Sequence, residues 1–342
     1  MKNKKIINKN ALLSNLSNFS HKKVCAMVKS NAYGHGIKEI VSILQEHVDL
    51  FGVVSIEEAI AVRKLTDKPI LICSKVFDYK LCRKYDIDVM VDNQLDLLQA
   101  IKNRNKIHLK INSGMNRFGV KSKLELSQIN KILIEKEIEL QSIYTHFFNL
   151  ESKSQTKKQY KKFCELKKEI LQNAPVCFGG SDIVEYDFEY DMIRVGIGLY
   201  GYGKNLRPIE KICSYVCKVF YAKKGETLGY NGAFKVKETG FFAVVALGYG
   251  DGLRRNLSGK FFVEINKKNY RSVGNICMDA FFVKVDNSVK VGDEVVVMKD
   301  ANELKGDSIV YEVLTGFSNL RGKTIIKWKA KKFEQFVLFA WK

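Results

Sequence analysis

Residues 24–55 read VCAMVK-SNAYGHG-IKEIVSILQEH-VD-LFGVVS, and this stretch decides the fold. Val24–Lys29 is an apolar run of strand length. Ile37–His47 places apolar residues at Ile37, Ile40, Val41, Ile43 and Leu44, the spacing of one helical face. Leu50–Ser55 is a second apolar run. A strand, a glycine-containing loop, a helix and a strand make a βαβ unit, which calls for a parallel sheet.

The same alternation continues along the chain. Further strand-like runs lie at Pro69–Lys75, Ile87–Val91, Lys106–Asn112, Leu140–Phe147, Pro175–Gly180 and Asp191–Val195. Helical patterns lie between them at Ile56–Leu65, Asn93–Arg104, Leu124–Lys136 and Lys153–Asn173. Eight such units predict a closed (β/α)8 barrel of about 200 residues, at the small end for that fold. A doubly wound open sheet is the competing topology.

The pattern changes near Gly201–Pro208. Beyond it, Phe261–Ile265 and Tyr270–Val273 flank a polar turn at Asn266–Asn269, and Val295–Met298 is another strand. The expected organisation is α/β, with an N-terminal barrel over 1–205 and a C-terminal, mostly-β domain over 206–342. The first few residues are expected to pair with the β domain. A chain of 342 residues suits two cores better than one.

Composition narrows the function. The chain carries 57 Lys+Arg against 37 Asp+Glu, a net charge of +20, but lysine is spread along its whole length. Nucleic-acid binding proteins more often cluster their charge with interleaved aromatics, so no nucleic-acid partner is expected. The eight cysteines form no CxxC pair, which argues against zinc, and no metal is expected. No apolar run approaches the roughly 20 residues of a membrane span, and no secretory signal is read, so a cytoplasmic protein without membrane contact is expected.

Barrel enzymes place their chemistry where strands end and βα loops begin. There this sequence offers Lys29 on the first strand, Lys110 on the fifth followed by Arg117, His146 on the sixth, and Arg194 on the eighth. The loops after the last two strands bring Gly180, Ser181, Gly196 and Ile197, the place where such barrels hold phosphate. A phosphate cup opposite a strand-end lysine suggests a phosphorylated aldehyde held as a Schiff base, which pyridoxal 5′-phosphate (PLP) satisfies.

The run AMVKSNAYGHG at 26–36 resembles the PLP-lysine signature of the alanine racemase family. The resemblance continues in order through HLKINSGMNR at 108–117, YTHF at 144–147, MIRVG at 192–196, GYGDG at 248–252 and VGNICMD at 273–279. It implies a fold type III PLP enzyme, a homodimer, and interconversion of L-alanine and D-alanine that supplies D-alanine for peptidoglycan. It implies Lys29 and Tyr249 as the two catalytic bases, with Tyr249 acting in the partner's site. Lys29, Tyr33, Arg117, His146, Ser181, Arg194, Gly196, Ile197 and Tyr311 would bind the cofactor. Arg117, Met278 and Asp279 would bind substrate, and Lys110 would be carbamylated. Three departures stand out: Gly180 where the family has Asn, Asn275 where it has Arg, and Asn319-Leu-Arg-Gly where it has an Arg-Val-Pro-Arg ending. A racemase of serine or another small amino acid, and a PLP-dependent decarboxylase on the same barrel, are the rival functions. A noncatalytic PLP-binding protein is disfavoured by the β domain and Tyr249.

Overall fold

The computed structural model describes residues 2–329 and 334–338. The chain divides into two compact units. One comprises Leu13–Ala32 and Ile37–Leu206; the other comprises Met1–Leu12, Tyr33–Gly36 and the chain from Arg207 onward.

The chain enters on β1 (Asn3–Asn8), which belongs to the second unit. The first unit then follows as β2 (Lys23–Met27), β3 (Leu50–Val53), β4 (Ile70–Ile72), β5 (Asp88–Val91), β6 (Ile107–Lys110), β7 (Leu140–His146), β8 (Val176–Gly179) and β9 (Met192–Val195). All pairings are parallel, and β9 closes on β2 with Cys25 beside Arg194, so the barrel is closed and the open-sheet alternative falls.

Strands β3, β5, β6 and β9 are buried at every position, as expected of strands enclosed by helices. Side-chain caps start several of those helices. Ser55, Asp78, Asn93 and Ser122 accept from the backbone N–H three residues on, satisfying donors that the first helical turn leaves open. On one flank the helix Lys153–Lys167 is packed by aromatic rings: Tyr160 stacks on Phe188 at 3.9 Å, and Phe163 meets Phe178 edge-on at 5.1 Å.

The second unit is built on β10 (Glu210–Ala222), followed by β11 (Thr227–Leu228), β12 (Phe234–Lys235), β13 (Gly240–Val245), β14 (Phe262–Ile265), β15 (Lys268–Val273), β16 (Phe281–Val285), β17 (Glu294–Met298), β18 (Gly322–Lys329) and β19 (Glu334–Leu338). Among the described residues the main sheet runs β13-β16-β15-β14-β17-β10-β1-β18-β19. The N-terminal strand β1 lies inside it, antiparallel to β10 and parallel to β18. The β14–β15 hairpin is present, with a tighter turn than the sequence suggests. Asn266 and Lys267 both take positive φ, the two-residue loop whose twist suits a hairpin.

Candidate active site

The loop after β2 departs from ordinary backbone. Ser30, Asn31, Ala32 and Tyr33 all hold φ near +53. Each such L-residue costs roughly 1–2 kcal/mol, so the turn must be held by its surroundings. Glu58 accepts from Ser30 N–H at 2.6 Å and from Val54 N–H at 3.0 Å. Asn31 Oδ1 accepts from Ile37 N–H at 2.9 Å, tying the turn to the next helix. Lys29 stands at the head of this fixed turn.

Lys29, half-buried, has its amine pKa lowered, first by desolvation and then by the nearby Arg117 charge. Lys110 ends β6 at 4% exposure, with the rings of Phe118 and Tyr144 within 5.5 Å of its Nζ. Burial, reinforced by the Arg194 charge, brings its pKa down to about 8. Arg117 lies on the loop after β6 and is exposed. That loop is pinned by Asn112 Oδ1, which accepts from the N–H groups of Gly114 and Asn116 at 3.1 Å.

Arg194 is buried on β9 and held on two nitrogens. Nη2 donates to Thr145 O at 2.7 Å and Nη1 to Cys177 O at 3.4 Å, while its carbon lies 4.3 Å from the Tyr144 ring centroid. His146 ends β7 beside it. Burial and the Arg194 charge lower its pKa to about 3, so its imidazole is neutral at physiological pH. Gly179 makes this packing feasible: a β-carbon there would come within 2.4 Å of both Arg194 Nη2 and His146 Nδ1. Gln159 donates to His146 O at 2.8 Å and to Ser113 Oγ at 3.0 Å, bracing the ends of β6 and β7.

Ser181 is buried, and its hydroxyl accepts from Gly198 N–H at 3.0 Å. Gly196, buried, and Ile197, half-buried, lie just past β9. The barrel unit thus contains Lys29, Lys110, Arg117, His146, Ser181, Arg194, Gly196 and Ile197 of the expected residues. This donor set fits a phosphorylated pyridine aldehyde: an amine with lowered pKa, a rigid buried guanidinium, and a hydroxyl beside a glycine loop.

The β unit contains the others. Tyr33 and Tyr311 have ring centroids 6.0 Å apart. Tyr249, itself exposed, opens the short turn Tyr249–Asp251, which adjoins the loop of Met278 and Asp279: its N–H donates to Cys277 O at 3.1 Å. Sequence reading missed Arg321, which pairs with Asp251 and Asp279. The clue lay in the Asn319-Leu-Arg-Gly segment, noted only as a departure.

Comparison with known proteins accords with this geometry. A family model described as alanine racemase, N-terminal domain, matches residues 7–204, and one described as alanine racemase, C-terminal domain, matches residues 210–324. An alanine racemase of Francisella philomiragia is 31% identical over 81% of this chain and 84% of its own length. One of Clostridium kluyveri is 32% identical over 88% of this chain and 84% of its own. Among solved structures, an alanine racemase of Clostridium difficile superposes with a TM-score of 0.89 at 26% identity, covering 98% of each chain. One of Bartonella henselae, described with covalently bound pyridoxal phosphate, gives 0.85 at 25% identity, covering 95% of this chain and 99% of that one. Among the described residues no helix is long and apolar enough to cross a membrane. With both family models matched in order along a closed barrel and a following β unit, the chain belongs to the alanine racemase family, a family of PLP-dependent isomerases.

Proposed function

We propose that this chain interconverts L-alanine and D-alanine with PLP, and so supplies D-alanine for peptidoglycan. The observation that carries the reading is the barrel's strand-end set: a desolvated Lys29 in the same unit as a buried Arg194, with no carboxylate in that strand position. When bound, the cofactor supplies a conjugated sink for the electron pair left as the α-proton departs.

The residues do the rest. Inversion requires one base on each face of the substrate's α-carbon. Lys29 Nζ takes the proton from D-alanine, and the Tyr249 phenolic oxygen, reaching from a partner subunit, takes it from L-alanine. Each base returns a proton where the other removed one. Arg194 donates and is not deprotonated in proteins. It would therefore hold the cofactor's ring nitrogen as an acceptor without protonating it, which would limit side reactions and favour reprotonation. Neutral His146 lies beside Arg194 and adds no charge there. Ser181, Gly196, Ile197, Tyr33 and Tyr311 would hold the phosphate, and Arg117, Met278 and Asp279 would bind the substrate. An acidic group at the Arg194 position would suit the decarboxylase reading, and the residue there is a guanidinium.

Purified protein given PLP and L-alanine should form D-alanine until the two are equal, measured by chiral chromatography. L-Serine in a parallel reaction tests substrate breadth. Carbon dioxide release in place of D-alanine would decide for the decarboxylase.

Lys110 is proposed to carry a carbamate. A bare ammonium there adds to the positive charge of Arg194 and Arg117, whereas CO2 addition makes an anion that accepts from a guanidinium. Only the neutral amine reacts, and with a pKa of about 8 the reactive fraction grows as pH rises through that value. With labelled CO2 held constant, a carbon-13 carbamate resonance should increase between pH 7 and 9 and vanish in Lys110→Arg. No such signal in active enzyme would leave Lys110 an ordinary amine.

A further inference from the structure

We infer that Arg321 is a positioning residue that locks the turn bearing Tyr249 to the loop bearing Met278 and Asp279, fixing where the Tyr249 hydroxyl can stand. The inference deepens the proposed racemase reading, and its kinetic arm rests on that reading.

The geometry lies within the β unit. Asp251, two residues after Tyr249, is fully buried. It accepts from Gly248 N–H at 3.0 Å and from Arg321 through the backbone N–H at 3.2 Å, Nε at 2.8 Å and Nη2 at 2.8 Å. Two side-chain nitrogens on one carboxylate form a fork, which fixes orientation as well as distance. The remaining nitrogen, Nη1, reaches Asp279 Oδ1 at 2.5 Å.

The two loops also touch directly. Gly250 N–H donates to Met278 O at 2.9 Å. A β-carbon at Gly248 would lie 2.3 Å from the carbonyl oxygens of Cys277 and Met278, so only glycine permits this approach.

The backbone on either side of Tyr249 is thus tied to the second loop, whereas the residue itself keeps 43% of its surface exposed, so the position of its side chain depends on how firmly that turn is held. An exposed Arg–Asp pair alone contributes little, because ordering two long side chains offsets the attraction. Here the buried Asp251 has already ordered the guanidinium. The Asp279 arm therefore adds a tie across the loops at small entropic cost. Arg321 lies 70 residues from Asp251 and 42 from Asp279 in sequence, so this is a tertiary clamp.

The test uses full-length protein reconstituted with PLP and labelled with 3-fluorotyrosine. Loss of one fluorine resonance in Tyr249→Phe assigns that residue. In Arg321→Ala the Tyr249 resonance should shift and broaden while the other resonances hold. Arg321→Lys should not restore it, since an ammonium lacks the fork. Because Arg321→Ala leaves Asp251 buried without its partner, the double variant Arg321→Ala/Asp251→Asn is measured as well. In D2O, inversion of D-alanine should fall by roughly 100-fold, the scale of a 1 Å misplacement. Exchange of the α-proton of D-alanine, which Lys29 performs, should fall much less, so the exchange-to-inversion ratio rises. An unmoved Tyr249 resonance in both folded variants would overturn the inference, as would an unchanged ratio in a racemising enzyme. Should the wild type exchange and invert nothing, the racemase reading falls, and the fluorine spectra alone decide the clamp.

Discussion

Lys29→Ala is expected to lower racemisation by at least roughly 10^4-fold, the upper end of what one positioned acid–base group contributes, because the same amine is also proposed to anchor the cofactor. The visible absorbance of the bound aldehyde should disappear with it. The fold should survive. Burial works against the charge on Lys29, and the turn that follows is held by Glu58 and Asn31 through backbone groups that the substitution does not touch. Thermal unfolding of the variant in the absence of PLP therefore checks that the loss is chemical. Borohydride reduction of wild-type protein should fix the cofactor to the peptide containing residue 29. A fixed adduct on another lysine, unchanged in the variant, would remove Lys29 from the role.

Tyr249→Phe should lose roughly 10²- to 10⁴-fold in both directions, since an enzyme with one base cannot complete inversion. The phenyl ring keeps the packing, and the turn is held by Asp251 and Gly248, so stability should be nearly unchanged. Mixing this variant with Lys29→Ala tests whether the site is shared between subunits. In a two-fold dimer, random exchange makes half the molecules mixed, each with one complete site, so about a quarter of the wild-type activity should return. No recovery in dimers verified as mixed would mean that each site is built from a single chain.

The barrel was legible because its evidence is local. Buried parallel strands read as apolar runs, and Leu50–Val53, Asp88–Val91 and Met192–Val195 each fall inside the expected run. Lys110 and His146 were legible because they fall near the C-terminal ends of the expected runs Lys106–Asn112 and Leu140–Phe147, and they close β6 and β7. The β unit was harder. β10 spans Glu210–Ala222 with a register shift between Val216 and Lys218, which breaks the two-residue alternation that announces a strand. The left-handed turn Ser30–Tyr33 contains no glycine, and only Asn31 among its four residues favours that conformation, so the sequence barely signals it; Glu58, 28 residues along the chain from Ser30, sustains it. The Arg321 fork was illegible for a related reason. A single arginine has no pattern of its own, and its meaning depends on two aspartates brought near by the sheet.

The placement of β1 has a consequence for synthesis. Its partners, β10 and β18, begin 207 and 319 residues after Asn3. At roughly 5–20 residues per second on the ribosome, β1 leaves the exit tunnel about ten seconds or more before β10 does. Meanwhile all eight barrel strands have emerged, so the barrel can close during translation while its own leading strand waits. Through that interval Ile6 and Ile7 lie on an unpaired edge, the kind of surface that recruits another chain or a chaperone. The final sheet therefore assembles around a segment made long before its partners, and a ribosome stalled after β9 has emerged but before β10 has would display a barrel tethered to an unpaired strand.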